Sequence, residues 1–186
     1  MKARLAATLA LAIMLPLGGC GLQPMYAGGS SAAVARGLAG VDVPPIPGRA
    51  GWLLRNALVE RFEAGSDARP AYRLDVRIDD TLQALGVLND DTVSRERRIL
   101  RTRYQLVDLE SGEILLDATA GSDAGIDVVS SEYATIAAEQ TALENLSKEV
   151  AERMVTQIAL TLRERNRTLG EREAQSAAPA RANESD

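Results

Sequence analysis

The sequence predicts an α+β domain in which two helices pack on one face of a largely antiparallel sheet of about four strands. Two stretches, Tyr72–Asp79 and Val93–Asp108, contain alternating apolar and polar residues, which is typical of strands with one buried and one wet face. Two others, Arg49–Glu63 and the segment after Ser131, repeat apolar residues at helical spacing. Such elements bury their apolar faces against one another, so the charged strand face is expected to lie outside.

The first predicted strand and the first helix follow each other closely. Val41–Val43 can begin the strand, and Pro44–Gly48 ends it because a proline has no N–H to donate to a ladder. The helix is expected over Arg49–Glu63, and Gly65 supplies its stop signal. Its apolar stripe contains Leu54, Leu58 and Phe62.

Two long strands are predicted next. Pro70 introduces the strand Tyr72–Asp79, and Asn89–Asp91 predicts the turn that leads to the strand Val93–Asp108. The same turn residues could suggest a calcium loop, but they lack the ligand spacing of one, so a turn is preferred. Four residues of the second strand are expected to share one face, namely Leu100, Thr102, Tyr104 and Leu106.

A returning hairpin strand and a loop are predicted after the second long strand. Leu109–Gly112 is a turn signal, and Glu113–Ala120 can form the returning strand. The small and polar residues of Gly121–Ser130 are interpreted as a loop.

A long amphipathic helix closes the predicted domain, with Ser130 or Ser131 as its cap. Tyr133 and Ile136 near its start could contact a partner, but residues on such a stripe are core in most helices, so core is preferred. The domain is expected to cover residues 41–169, and residues 170–186 to form a disordered tail. The apolar stripe of the helix consists of Ile136, Leu143, Leu146, Val150, Met154, Ile158 and Leu162.

The amino terminus has the features of a lipoprotein signal peptide over residues 1–19. A short basic start precedes an apolar run that is shorter than the roughly 20 residues of a membrane span. Leu17–Cys20 then resembles a bacterial lipobox. Cys20, the only cysteine, is predicted to carry a covalent N-acyl and S-diacylglycerol lipid that anchors the chain to a membrane. Residues 20–40 are predicted to form a lipidated and flexible tether.

The net charge and the residue after the cysteine indicate which partners and which membrane are expected. Removing residues 1–19 takes away Lys2 and Arg4 and no acid, so the formal charge changes from −5 to −5 − 2 = −7. An acidic exported protein is not expected to bind nucleic acid, because that binding depends on neutralising phosphates with a basic surface. Gly21 after the cysteine favours the periplasmic face of the outer membrane over the inner membrane as destination.

No catalytic chemistry is predicted, and neither a metal site nor a soluble cofactor is expected. The chain has no histidine, its one cysteine is assigned to the lipid, and no HExxH, GxSxG or phosphate-binding glycine motif occurs.

Four arginines on one strand are the candidate binding residues. Because side chains alternate along a strand, these four would point to the same side, where guanidinium groups can bind phosphate in a bidentate manner. A solvated face paired with acids such as Asp75 and Asp79 is the preferred explanation of these arginines. The four are Arg95, Arg97, Arg101 and Arg103.

Several stretches together resemble the lipopolysaccharide-assembly lipoprotein family LptE, in its alphaproteobacterial form. They occur in the expected order along nearly the whole mature chain. They are Cys20–Tyr26, the helix start Arg49–Leu58 with Leu54–Asn56, the strand entry Pro70–Leu74, and Ser131–Ala134 leading to Ala138–Glu139.

This resemblance implies a non-enzymatic protein that acts as plug and assembly partner of the outer-membrane β-barrel lipopolysaccharide translocon. Lipopolysaccharide itself would be a possible second partner. The arginines of the strand could then contact its phosphorylated headgroup or, as a third alternative to a solvated face, the wall of the barrel. An auxiliary lipoprotein of an ABC-type envelope lipid-transport system is the alternative, since it would share the lipobox, the size and the α+β character.

Overall fold

The chain folds into a four-stranded sheet and two long helices, which confirms the predicted α+β class. The computed structural model describes residue 34 and residues 36–62, 69–87 and 93–182, with backbone alone for 86–87, 93–94 and 177–182. All of these residues belong to one compact unit, Ala33–Asp186. None of the described helices is both long enough and apolar enough to cross a membrane.

The strands lie in the sheet in the order in which they follow along the chain: β1 (Val41–Asp42), β2 (Tyr72–Val87), β3 (Val93–Asp108) and β4 (Ile114–Asp127). β1 runs parallel to β2, and the other two pairs are antiparallel. A bulge near Leu106 and Val107 shifts the register between β3 and β4. The sheet is therefore largely antiparallel, as the sequence predicts.

Alternation along the strands separates an inner face from an outer face. On β3 the even-numbered side chains lie under the helices, and the four residues predicted to share a face are all buried there. Leu74 of β2 is opposite Leu106 and is buried with it. The odd-numbered residues, half of them arginines, form the outer face.

The helices α1 (Gly48–Phe62) and α2 (Glu132–Ala182) pack against each other and cover the inner face. The predicted stripe of α1 is buried in full. Arg61 of α1 also donates to Glu152 of α2 at 3.0 Å. From α2 the core receives Leu143, Leu146, Val150, Met154, Ile158 and Leu162, all of them predicted.

The first turns of α2 differ from the prediction. Ile136 and Tyr133 were expected in the core, but 42% and 88% of their surfaces are exposed. The first buried residue of α2 is Leu143, so the turns before it lie outside the hydrophobic core.

Two strands are longer than predicted. β2 continues past Asp79 to Val87, where it pairs with Val93, and residues 88–92, with the predicted turn, lie outside the described part of the chain. β4 continues past Ala120 to Asp127, so the loop expected over 121–130 is wrong up to that residue. Its glycines and aspartates suggest a turn, but in the sheet Ile126 is buried on the inner face while the aspartates face outward.

Both predicted termini of the domain also differ in the structure. Residues 36–39 form a helical turn within the predicted tether, and Leu38 packs against the core. Gly37 approaches the chain's long helix so closely that a Cβ there would lie 3.3 Å from Cδ1 of Leu162.

At the other end α2 continues to Ala182, where a disordered tail was predicted for residues 170–186. Extending an existing helix costs little when the residues are mostly good helix formers. Arg167 also pairs with Glu164 and with Glu171 one turn on either side.

A buried carboxylate connects the β3–β4 turn to α2. Asp108 accepts hydrogen bonds from the amides of Glu110 and Ser111, both at 2.9 Å. Its other oxygen accepts from Nη2 of Arg165 at 2.7 Å. The Ser111 amide bond is the main reason that the pKa of Asp108 is lowered, with the Arg165 charge contributing.

We expect Asp108→Ala to lower the free energy of unfolding by about 2 kcal/mol, because it removes these bonds and leaves Arg165 half-buried beside a weaker partner, Glu113. A carboxyl with a lowered pKa stabilises the fold above its unfolded pKa of about 3.9. That contribution disappears as the pH falls through the folded pKa. Urea unfolding of both proteins should therefore show a difference at pH 7 that shrinks below about pH 4; a constant difference would contradict this role.

Candidate functional site

The four predicted arginines lie on the outer face of β3, on the same side of the sheet. The register places each of them opposite one residue of β2 and one residue of β4, and Ile99 lies between Arg97 and Arg101. Arg98 points to the opposite, inner face, where it donates to Asp80 at 2.7 Å and to the carbonyl of Glu139 at 3.2 Å. The prediction of a shared face for Arg95, Arg97, Arg101 and Arg103 thus agrees with the register.

Three of the four arginines have an acidic partner, and each partner lies on β4. Arg95 pairs with Asp127 at 3.0 Å, directly across the ladder. Arg97 pairs with Asp123 at 3.4 Å. In each of these pairs both side chains are at least half exposed, so they contribute little to stability.

Arg103 has the tightest of these contacts. Its guanidinium donates to Asp117 at 2.9 and 3.1 Å, and the amide of Gln105 donates to the same carboxylate at 2.9 Å. Hydrogen bonds from Arg103 and then Gln105 lower the pKa of Asp117 to about 2. The carboxylate is therefore charged at every physiological pH, and the Arg103 charge remains compensated.

Arg101 has no ion pair among the described residues, and the register explains why. Arg97 and Arg103 each reach an aspartate two residues before their direct partner on β4. The corresponding neighbour of Arg101 is Thr119, and its direct partner is Gly121. Arg101 therefore has no aspartate at either of these positions on β4, unlike Arg95, Arg97 and Arg103.

Arg77 lies beside Arg101 on the β2 side and was not among the predicted binding residues. It lies directly opposite Arg103, so two like charges are neighbours, and it has no ion pair within the described chain. Asp75, expected to pair with β3, instead binds Arg73 of its own strand at 3.0 Å. Asp79 lies opposite Arg101 but accepts only the hydroxyl of Thr81, at 3.2 Å, in the part of the chain that is described.

A shallow groove of about 510 Å³ lies between these side chains. Three arginines and one aspartate line it, and Gly121 leaves its floor open, since a Cβ there would lie 3.2 Å from Cγ of Arg101. Two guanidinium groups without ion pairs can bind a phosphate or carboxylate through charge-assisted hydrogen bonds. The alternation of charge along Tyr72–Asp79 could have indicated Arg77, but only the register shows which arginines have partners.

Cys20 lies outside the described residues, so its lipidation stays a prediction. Among the residues that are described, no group of three acidic, histidine or cysteine side chains is placed to bind a metal ion.

Several solved structures that are similar to this chain are described as bacterial lipoproteins. A candidate lipoprotein from Caulobacter crescentus is 23% identical with a TM-score of 0.58, over 70% of this chain and 96% of that one. A minor lipoprotein from Acinetobacter baumannii is 16% identical with a TM-score of 0.48, over 64% and 88%. Rare lipoprotein B from Shewanella oneidensis is 10% identical with a TM-score of 0.47, over 65% and 92%. The first of these supports the fold.

No curated protein is significantly similar to the chain in sequence. The model of one family, described as lipopolysaccharide-assembly LptE, matches residues 38–158, which is more than half of the chain. The matched range begins at the helical turn before β1 and ends within the buried part of α2, so it includes every strand of the sheet. The chain therefore belongs to the lipopolysaccharide-assembly family LptE.

Proposed function

We propose that this envelope lipoprotein is the non-enzymatic plug and assembly partner of the outer-membrane β-barrel that delivers lipopolysaccharide to the cell surface. The observation that carries the proposal is the family match over residues 38–158. Lipopolysaccharide assembly is the role of that family, and the barrel as partner and the outer membrane as location are the proposed refinements.

The anchor in this proposal is the lipid on Cys20. Burying acyl chains contributes about 0.8 kcal/mol per methylene, so several chains give permanent attachment. Among the described residues, Leu38 is the first that packs on the core. The linker after Cys20 therefore has about 15 residues, which span at most about 50 Å when extended. Such a reach keeps the domain close to the inner leaflet of the outer membrane.

The proposed contact for lipopolysaccharide is the groove between Arg77 and Arg101. Its ligand would be a phosphate of the headgroup, because guanidinium groups recognise phosphate by shape as well as by charge. Arg95, Arg97 and Arg103, which have aspartate partners, would contribute less. The apolar residues exposed at the start of α2, among them Tyr133 and Ile136, are available for contact with the barrel.

Depletion of the protein in its own cells tests this function. We expect loss of surface lipopolysaccharide and its accumulation in the inner membrane, both measured by antibody labelling and membrane fractionation. Complementation with Cys20→Ala should restore surface lipopolysaccharide poorly, because the protein would not be retained at the membrane. Normal surface lipopolysaccharide together with a defect in phospholipid traffic would instead favour the ABC-type transport alternative.

A further inference from the structure

The edge of the sheet at β4 has hydrogen-bonding groups without a strand partner. β4 is the last strand in the sheet order, and within the described chain no strand lies beyond it. Successive residues of a strand turn their backbone groups to opposite sides. The carbonyl of Ala120 accepts from Oγ1 of Thr102 on β3, whereas that of Gly121 accepts from α2. Thr119, Gly121 and Asp123 therefore turn their N–H and C=O groups away from β3.

A groove runs beside this edge, between β4 and α2. Its volume is about 370 Å³, and the β4 residues that line it, Ala118 to Gly121, have small side chains. The small side chains at these positions leave the edge backbone accessible.

Arg153 of α2 lies where an added strand would pair with β4. Its Nη1 donates to the outward carbonyl of Gly121, where the N–H of a neighbouring strand would donate, and its Nη2 is 3.5 Å from Oγ of Ser122. The side chain is more than half exposed, and its nearest carboxylate, Glu149, is 4.0 Å away. It can therefore leave the carbonyl to an incoming N–H and offer its charge to a carboxylate on the incoming segment.

Length does not distinguish the two edges of the sheet. β1 pairs with β2 only at Tyr72 and Arg73, so residues 74–87 of β2 are as open within the described chain as the 14 residues of β4. The β4 edge differs in having the guanidinium of Arg153 at an outward carbonyl. Unpaired edges of this kind are used for recognition of extended peptides, in which backbone hydrogen bonds supply affinity.

We propose that the β4 edge binds an extended segment of a partner polypeptide as a fifth strand of the sheet. Its backbone pairs with Thr119, Gly121 and Asp123, and an acidic side chain of the segment contacts Arg153. This site uses main-chain groups beside α2 and is separate in chemistry from the arginine groove. It goes beyond the proposed function by naming how a polypeptide partner is held.

Residue-resolved hydrogen exchange tests the proposal. The full-length lipidated protein is compared alone in detergent and in the complex purified with it from solubilised membranes. We expect the amides of Thr119, Gly121 and Asp123 to exchange at least 10-fold more slowly in the complex. The amides of Ala118 and Ala120, which face β3, serve as an internal reference and should be protected in both samples. Equal exchange of the three outward amides in both samples would overturn the proposal.

Two variants at one position separate the backbone from the side chain. Thr119→Pro removes an outward N–H, which an edge strand tolerates, whereas Thr119→Val keeps it. Co-purification of the partner should fall at least 10-fold with proline and stay unchanged with valine. Loss with both variants would assign the effect to the side chain and contradict strand addition. A complex that contains no barrel would count against the proposed function, whereas a barrel complex with unprotected β4 amides would count against this inference alone.

Discussion

Replacing both Arg77 and Arg101 by glutamate is expected to lower the affinity of the folded protein for purified lipopolysaccharide roughly 100-fold. Charge-assisted hydrogen bonds contribute about 1.5 kcal/mol or more each, and 1.4 kcal/mol corresponds to a factor of ten. Both side chains are on the outer face and have no ion pair in the described chain, so no pair is lost. Arg101→Glu does face Asp79 across the ladder, a like-charge contact that lowers stability slightly without changing the fold. Affinity is measured by titration with lipopolysaccharide, and folding by thermal unfolding.

The matched control makes the same change of charge on the same face of the sheet. Arg95→Glu with Arg97→Glu replaces arginines whose partners are Asp127 and Asp123, and we expect less than about a fivefold loss. Thr119→Asp tests the converse. It places an acid next to Arg101, at the β4 position where Arg97 and Arg103 each have an aspartate neighbour. It should weaken binding about tenfold without removing an arginine. Equal losses of affinity in both double variants would show that net charge alone determines lipopolysaccharide binding, and would contradict a binding site at Arg77 and Arg101.

Gly51→Ala is expected to destabilise the protein by about 3 kcal/mol, although alanine is normally the better helix former by about 1 kcal/mol. Gly51 is buried where α1 crosses the proline-rich segment before it, and a Cβ there would lie 2.6 Å from the carbonyl oxygen of Ile46. Backbone cannot move as a flexible side chain does. The melting temperature should fall by on the order of 10 °C.

Gly170→Ala is the matched control, since it is the same substitution in the other long helix. A Cβ at Gly170 would meet nothing within 4 Å. The change should be neutral or stabilising by less than about 1 kcal/mol. If both variants melt at the wild-type temperature, the close packing of α1 against Ile46 is not as described.

The spacing of apolar residues in the sequence predicted those parts of the fold in which one face of a strand or helix is buried. The bounds of β3, its buried face and the buried stripe of α2 from Leu143 to Leu162 follow from alternation and helical spacing. The end of β4 did not, because Gly-Ser-Asp-Ala-Gly is typical of a turn. In the sheet this segment is held by pairing with β3 between Arg95 and Arg101.

The candidate site could be predicted only in part, for a related reason. Periodicity placed the four arginines of β3 on one face, but it could not show which of them have partners. That depends on the register with β4, which places aspartates beside Arg97 and Arg103 and a threonine beside Arg101. Arg77 enters the site only through the pairing of β2 with β3. Tyr133 and Ile136 were expected in the core because a helical stripe does not show where the sheet beneath it ends.

Affinity purification of the full-length protein from solubilised outer membrane, followed by mass spectrometry, shows whether the protein acts with a barrel. We expect a large outer-membrane β-barrel in a stoichiometric complex with the lipoprotein, together with lipid on Cys20. Recovery of only inner-membrane transport subunits, with no barrel, would contradict it.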